Sequence, residues 1–345
     1  MSADIVMPPR TRTRSGSERR VGVEIELASL PIEEACAIVA SVVHGHARRK
    51  TEYEWIVEGA SEGDYRVEVG SSFLKRMGRD GPDGLVESMG EKLASLFAGN
   101  ITPLEVCCPP IPLSELEVVN RVGVALADGG ARGTSDSLLH AFGIHFNPEA
   151  SSTSPDDLVA VLRAFLLLAD WLEKRLQVDV SRRLTTFIEP FPDAYAELVL
   201  NRDYAPDQAT LIDDYLRHNP TRNRALDVLP LLAHLDEERV MAALDDDHLV
   251  KVRPTWHYRL PNSQLGQPGF SVMDDWGSWV VVERLASSAP RLAKWMDEWR
   301  RHRSGLGGLL ALPSWTSRCQ ELVRRSSLLT DPSFSYSLSG RRRSW

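Results

Sequence analysis

The strongest constraint on this chain is an alternation. In Val23-Glu24-Ile25-Glu26-Leu27 an ionisable residue follows an aliphatic one without a break. Side chains of a strand alternate between its faces, so Glu24 and Glu26 share one side, about 7 Å apart, and the three aliphatics share the other. The pattern recurs. Arg66 and Glu68 oppose Tyr65, Val67 and Val69, and Glu105 opposes Leu104 and Val106. His145 and Asn147 oppose Ile144 and Phe146, and His257 and Arg259 oppose Trp256, Tyr258 and Leu260. Strands of this kind build a sheet with one face for helices to cover and one face rich in carboxylate, imidazole and guanidinium groups.

Taken singly, each of these groups reads as a solvated strand face or a satisfied structural histidine. Together they do not. Glu24, Glu26, Glu68, Glu105, His145, His257, Arg66 and Arg259 on one side of one sheet would repel or desolvate badly without cations or anionic ligands. Mg2+ or Mn2+ suits an oxygen-rich set with an occasional imidazole, and one carboxylate can serve each of two neighbouring cations. Arginine beside them suits a phosphate, which it binds in bidentate fashion. There is no G-x-x-x-x-G-K-[ST] loop, no G-x-G-x-x-G after a strand, no H-E-x-x-H and no G-x-S-x-G. Phosphate chemistry here relies on metal ions and basic side chains.

Composition narrows the class further. With 345 residues, 43% of them apolar, the chain is long enough for a substantial core. A net charge of -8 argues against a nucleic-acid partner, which needs clustered Lys and Arg. Cys36, Cys107, Cys108 and Cys319 form no C-x-x-C pair, and adjacent Cys107 and Cys108 read as small apolar fillers on opposite strand faces. A cytoplasmic location and no membrane association are expected, since the most apolar helix, Leu158–Leu176, is interrupted by Arg163 and Asp170.

The expected fold class is α+β. Strands are placed at Arg20–Ala28, Glu52–Val57, Tyr65–Val69, Pro103–Cys107 and Phe142–Asn147, with a late one at Arg253–Leu260 that must rejoin the sheet. Helices are placed at Ile32–His46, Leu85–Phe97, Leu113–Ala127, across about 155–250, and at Val281–Arg301 and Ser317–Ser326. Ser154 caps the helix that opens on Pro155. Residues 1–19 and 331–345 read as loosely ordered tails around a single catalytic domain, 20–330. Gly129–Ser137 reads as a flexible loop.

Several of these segments resemble one family. Arg20–Leu27 is similar to the G-x-E-x-E opening strand of glutamate–cysteine ligases and of the amidoligase family related to them. Pro103-Leu104-Glu105-Val106 with Pro109-Pro110 resembles the amidoligase P-L-E segment that ends in two prolines. Gly143–Asn147 resembles its G-x-H-x-[HN] strand, and Tyr65–Ser72 its short glutamate-bearing strand. His257-Tyr258-Arg259 stands where ligases of this superfamily place E-x-R, so an imidazole replaces a carboxylate; Gly70 replaces an Asp. The resemblance implies a curved, mainly antiparallel, glutamine-synthetase-like sheet with helices on its convex side, holding ATP and Mg2+ (or Mn2+). By the same resemblance Glu24, His145 and His257 hold one metal near the nucleotide phosphates, and Glu26, Glu68 and Glu105 hold a second nearer the acceptor carboxylate. Glu24, Glu26 and Arg259 are the expected catalytic residues, and Arg259, His145, Asn147 and Arg224 the expected nucleotide contacts. The implied reaction joins a carboxylate to an amine, on amino-acid or peptide substrates, through an acyl phosphate.

Other features carry two readings each. Asn223 could cap a helix at Ala225–Leu232 and set Arg224 beside an anion, or both are surface groups. Arg182 and Arg183 could bind a substrate carboxylate, or form a surface basic pair. Asp245-Asp246-Asp247-His248 reads as a charge run at a helix end. Trp276 and Trp279 could flank the site or lie in the core. A metal-dependent hydrolase and a non-catalytic binding relative remain the alternatives to a ligase.

Overall fold

The computed structural model describes residues 5–70, 103–134, 142–178, 188–244, 250–304 and 314–329. The expected helix at 85–97, the Arg182–Arg183 pair, the acidic run at 245–248 and the tail 331–345 lie outside them.

The alternating segments form the expected strands. They are β1 (Arg20–Leu27), β2 (His46–Arg49), β3 (Glu54–Glu58), β4 (Tyr65–Val69), β5 (Leu104–Cys107), β6 (Ile111–Pro112), β7 (Ile144–Pro148), β8 (Leu226–Asp227) and β9 (His257–Tyr258). They join one open sheet in the order β2-β3-β4-β5-β1-β7-β9-β8, with β6 also on β1. Every ladder between these strands is antiparallel, and with the helices this makes the fold α+β.

The helices are α1 (Ile32–Val43), α2 (Glu117–Asp128), α3 (Pro155–Arg175), α4 (Asp193–Val199), α5 (Gln208–His218), α6 (Leu229–Leu235), α7 (Glu237–Met241), α8 (Val272–Ala286), α9 (Ala289–Arg303) and α10 (Trp315–Arg325). Ser154 caps α3 by accepting a hydrogen bond from the Asp157 N–H. The aliphatic sheet face is sealed: Val23, Ile25, Leu27, Val67, Val106, Ile144, Phe146 and Tyr258 are fully buried. Each such side chain contributes about 1.5–3 kcal/mol over an exposed one. Helix α1 lies against β3 and β4, and α8 packs on α3. Trp276 meets Phe146 at 5.9 Å between ring centroids, and Trp279 lies 6.2 Å from Trp256 and 5.4 Å from Tyr258. Both tryptophans are therefore core.

Four expectations are corrected. Helix α1 stops at Val43, short of His46, because His44 takes a left-handed turn (φ 56). Gly45 follows, where an added Cβ would lie 2.5 Å from Val57 Cγ1, and β2 begins at once. The late strand is only His257–Tyr258. Pro254 and Pro261 lack the N–H a ladder needs, and pairing continues as single bridges, Glu149–Thr255 and Gly143–Asn262. The helix read as Val281–Arg301 is two, α8 and α9, with Pro290 in the first turn of the second. Finally, residues 5–19 are packed, not loose. Trp276 Nε1 donates to the Val6 carbonyl, and buried Arg19 makes a bidentate pair with Glu283 of α8 at 2.8 and 2.7 Å.

The glycine-rich loop is also anchored over the part described. Ala28 and Arg132 form a bridge, and Thr134 N donates to Ser263 O at 2.8 Å. A Cβ on Gly133 would sit 2.0 Å from Ser263 O, so only glycine permits this approach.

Candidate metal-binding face

Strand register turns the alternation into two rows on the polar face. In one, Glu54, Glu68, Glu105 and Glu26 stand directly opposite one another across β3, β4, β5 and β1. In the other, Arg66, Cys107, Glu24 and His145 stand opposite across β4, β5, β1 and β7. Like charges directly opposite are destabilising, so the first row is the more demanding.

At the β1–β7–β9 end, His145 Nδ1 donates to Glu24 Oε2 at 3.1 Å and Asn147 Nδ2 to Glu24 Oε1 at 3.1 Å. Arg253 Nη2 donates to Asn147 Oδ1 at 2.6 Å and lies 3.7 Å from Glu24 Oε1. Burial works against the Glu24 charge. The bond from His145 and the nearby His257, His145 and Arg253 outweigh it and hold the carboxyl well below the ordinary carboxylate range. His257 follows from β9. Its Nδ1 faces Asp227 Oδ2 at 3.4 Å, and Asp227 itself is fully buried on β8. Its Nε2 lies 3.8 Å from Glu24 Oε2, buried and with no hydrogen-bond partner among the described residues. Burial lowers the His257 pKa to about 4, despite Asp227 and Glu24, so the ring is neutral at pH 7. One ligand atom from each of Glu24, His145 and His257 lies within 4.8 Å of the others.

The β4–β5 end has a different balance. Arg66 Nε lies 2.7 Å from Glu68 Oε2, while Glu105, 8% exposed, receives no hydrogen bond from any described residue. Burial first, then Glu24, Glu26 and Glu68, push the Glu105 carboxyl well above the ordinary range; Lys251 opposes them weakly. Burial and the charges of Glu105, Glu24 and Glu68 likewise push the Cys107 thiol up, against Arg66. Ligand atoms of Glu68, Glu105 and Cys107 also fall within 4.8 Å of one another.

The expected site residues divide accordingly. Glu24, His145 and His257 come together, with Asn147 beside them. Glu68 and Glu105 come together, but Cys107 takes the third place in that group instead of Glu26. Glu26 Oε2 accepts the Gly143 N–H at 2.7 Å. Arg259 is close enough to feel Asp227, Glu26 and Glu24, yet burial dominates and lowers its pKa; its Nη1 donates to the Arg222 carbonyl. Arg224 is turned elsewhere. Its guanidinium donates to Asn219 Oδ1 (2.9 Å), Pro190 O (2.7 Å) and Glu189 Oε2 (3.3 Å). The anion-binding role is therefore withdrawn: Asn223–Arg224 precede a strand, β8, and not a helix.

Three residues of this face escaped the reading of the sequence. Asp227 was absorbed into a helical stretch, although Pro230 in the first turn of α6 marks where that helix starts and leaves 226–227 extended. Arg253 opens the expected late strand four residues before His257, on the same parity, but its charge was not connected with the site. Cys107 was read as an apolar filler, although it lies two residues from Glu105 and so on its face. The companion reading of Cys108 is correct: it is buried in the core.

Against known proteins, a family model described as a putative amidoligase enzyme matches residues 17–281. No curated protein and no solved structure matches significantly. Among the described residues no helix is long and apolar enough to cross a membrane.

Proposed function

The chain belongs to the amidoligase family, and from that premise we propose that it is an ATP- and Mg2+-dependent carboxylate–amine ligase that forms an amide bond through an acyl phosphate. The observation that carries this reading is the orphaned imidazole. Buried Asp227 faces His257 Nδ1, and beside Glu24 and His145 the His257 Nε2 has no hydrogen-bond partner among the described residues. A carboxylate behind a histidine whose other nitrogen is free is how proteins orient a metal-ligating imidazole. An unpartnered buried nitrogen is otherwise costly.

In this reading Glu24, His145 and His257 would hold a divalent cation, the carboxylate suiting Mg2+ or Mn2+ and the two imidazoles weighting the choice toward Mn2+. Glu68 and Glu105, with Glu26 adjoining, hold a second. Bound Mg-ATP would supply the phosphoryl group that activates the substrate carboxylate for attack by an amine. The protein's own share is electrostatic. Arg259 and Arg253 place guanidinium charge at the edge of the carboxylates, where phosphate oxygens need it. Asn147, Arg253 and His145 fix the Glu24 carboxylate so that it needs no rearrangement on binding. The substrate class is an amino acid or peptide offering a carboxylate and an amine.

Calorimetry of ATP with Mg2+ on the wild type and on Glu24→Ala/Glu26→Ala tests this. Metal-dependent nucleotide binding that vanishes in the double variant supports a ligase, to be followed by a substrate screen reading ADP release. Metal binding without nucleotide binding would sink it in favour of a metal-dependent hydrolase, and binding of neither would favour a non-catalytic relative.

A further inference from the structure

The two clusters offer different donor sets. Glu24, His145 and His257 present one oxygen and two imidazole nitrogens; Glu68, Glu105 and Cys107 present two oxygens and a thiol sulfur. A thiol has no role toward Mg2+, which takes oxygen ligands and keeps much of its water. It is the donor that selects for softer cations of the zinc type.

Cys107 is not on this face by default. Its neighbour Cys108 fills the core, so a small apolar residue at 107 would have served as well if packing were its task. Cys107 stands directly opposite Glu24 on one side and Arg66 on the other. Beside it Glu105, only 8% exposed, receives no hydrogen bond from any described residue and faces Glu26 and Glu68 across the ladders. A carboxylate in that position is stabilised by a cation, and the atoms placed to share that cation include the sulfur of Cys107.

We infer that Glu68, Glu105 and Cys107 form a mixed oxygen–sulfur site for a thiophilic divalent cation of the zinc type, held through a Cys107 thiolate in preference to Mg2+. The thiol proton leaves to solvent as the metal–sulfur bond forms. The inference rests on the reading of this face as a divalent-cation site and changes the identity of the ion at its β4–β5 end.

Cobalt(II), which replaces zinc and reports its ligands by absorption, is the probe. Titrating the full chain with Co2+ is expected to give a thiolate-to-cobalt charge-transfer band. The band should disappear on adding Zn2+ and be absent from Cys107→Ser. Cys108→Ser keeps it, and Glu105→Gln, which leaves the sulfur in place, weakens it. Zinc affinity should fall by at least about tenfold in Cys107→Ser, while circular dichroism confirms that the variant is folded. Cobalt bound without a charge-transfer band, or a band that survives in Cys107→Ser, overturns the inference. Calorimetry of Mg-ATP on the same samples separates the two readings: intact nucleotide binding with no thiolate band removes this inference alone and leaves the ligase standing. No binding of cobalt or of Mg-ATP removes both.

Discussion

At the β1–β7–β9 end of the polar face the charges are matched: Glu24 has His145, Asn147 and Arg253, and Asp227 has the N–H of the neutral His257 ring. Two strands away, Glu68 has Arg66, while Glu105 has carboxylates on both sides and no donor among the described residues. The two ends share one sheet, although α1 backs β3 and β4 while the tryptophans of α8 back β7 and β9; on the polar face the difference lies in the side chains. One end balances its own charges and lacks only a partner for His257 Nε2 among the described residues. The other is finished only by something positively charged, and it stores the repulsion until that arrives.

Removing Glu24 should break the comparison most completely. Glu24→Ala leaves His145, His257 and Arg253 without their shared anion. Amide synthesis, followed by ADP release, is expected to fall by at least about a thousandfold, the scale of losing electrostatic support at the reacting phosphate. A loss under tenfold would contradict the assignment of that end.

The ends should next separate by pH. His257 has a folded pKa of about 4 against an ordinary 6.5, so between those values the unfolded chain binds the extra proton. Stability of the metal-free protein therefore drops as pH falls through that window, by up to about 3 kcal/mol at 1.36 kcal/mol per unit. Glu105 acts in the opposite sense. Its raised pKa means stability is lost as pH climbs from its ordinary value of 4.5 through the raised one. Urea titrations from pH 4 to pH 9 on the wild type, His257→Asn and Glu105→Gln should each remove one limb and leave the other.

A smaller effect sharpens the stored-repulsion argument. At pH 8, Glu105→Gln is expected to stabilise the metal-free protein by on the order of 1 kcal/mol and to weaken the stabilisation that divalent cations give the wild type. Thermal melts with and without metal read both, and a variant less stable than wild type would count against repulsion at Glu105. Smallest of all, Arg253→Gln should weaken Mg-ATP binding by about tenfold, through a charge only partly buried, with little change in melting temperature.

The strand cores and their polar partners were legible in the sequence because a period of two is a local signal. Glu24, Glu26, Glu68, Glu105, His145 and His257 all follow from it. What stayed hidden depends on register or on termination. No local pattern says that Glu105 faces both Glu68 and Glu26, or that Asp227, two residues ahead of α6, will pair with His257 thirty positions later. Arg224 illustrates the converse. Its neighbours suggested an anion site, but Asn219, five positions back, and Glu189 and Pro190, 35 and 34 positions back, converge on it. The packing of residues 5–19 was likewise invisible, because Arg19 finds its carboxylate on α8.

That last clamp bears on how the molecule is made. Strand β1 leaves the ribosome before the other strands described, yet it occupies the interior of the sheet, with β5 on one edge and β7 on the other. One edge waits for β5 (Leu104–Cys107) and the other for β7 (Ile144–Pro148), and Arg19 waits for Glu283, 264 positions further along. The nascent chain therefore carries a half-charged strand with an open edge until β7 has emerged. Folding that depends on such distant partners is slow and exposed to aggregation. The glutamates of β1 give the waiting strand a charged face, and like charges on stacked copies discourage one nascent chain from pairing with the next.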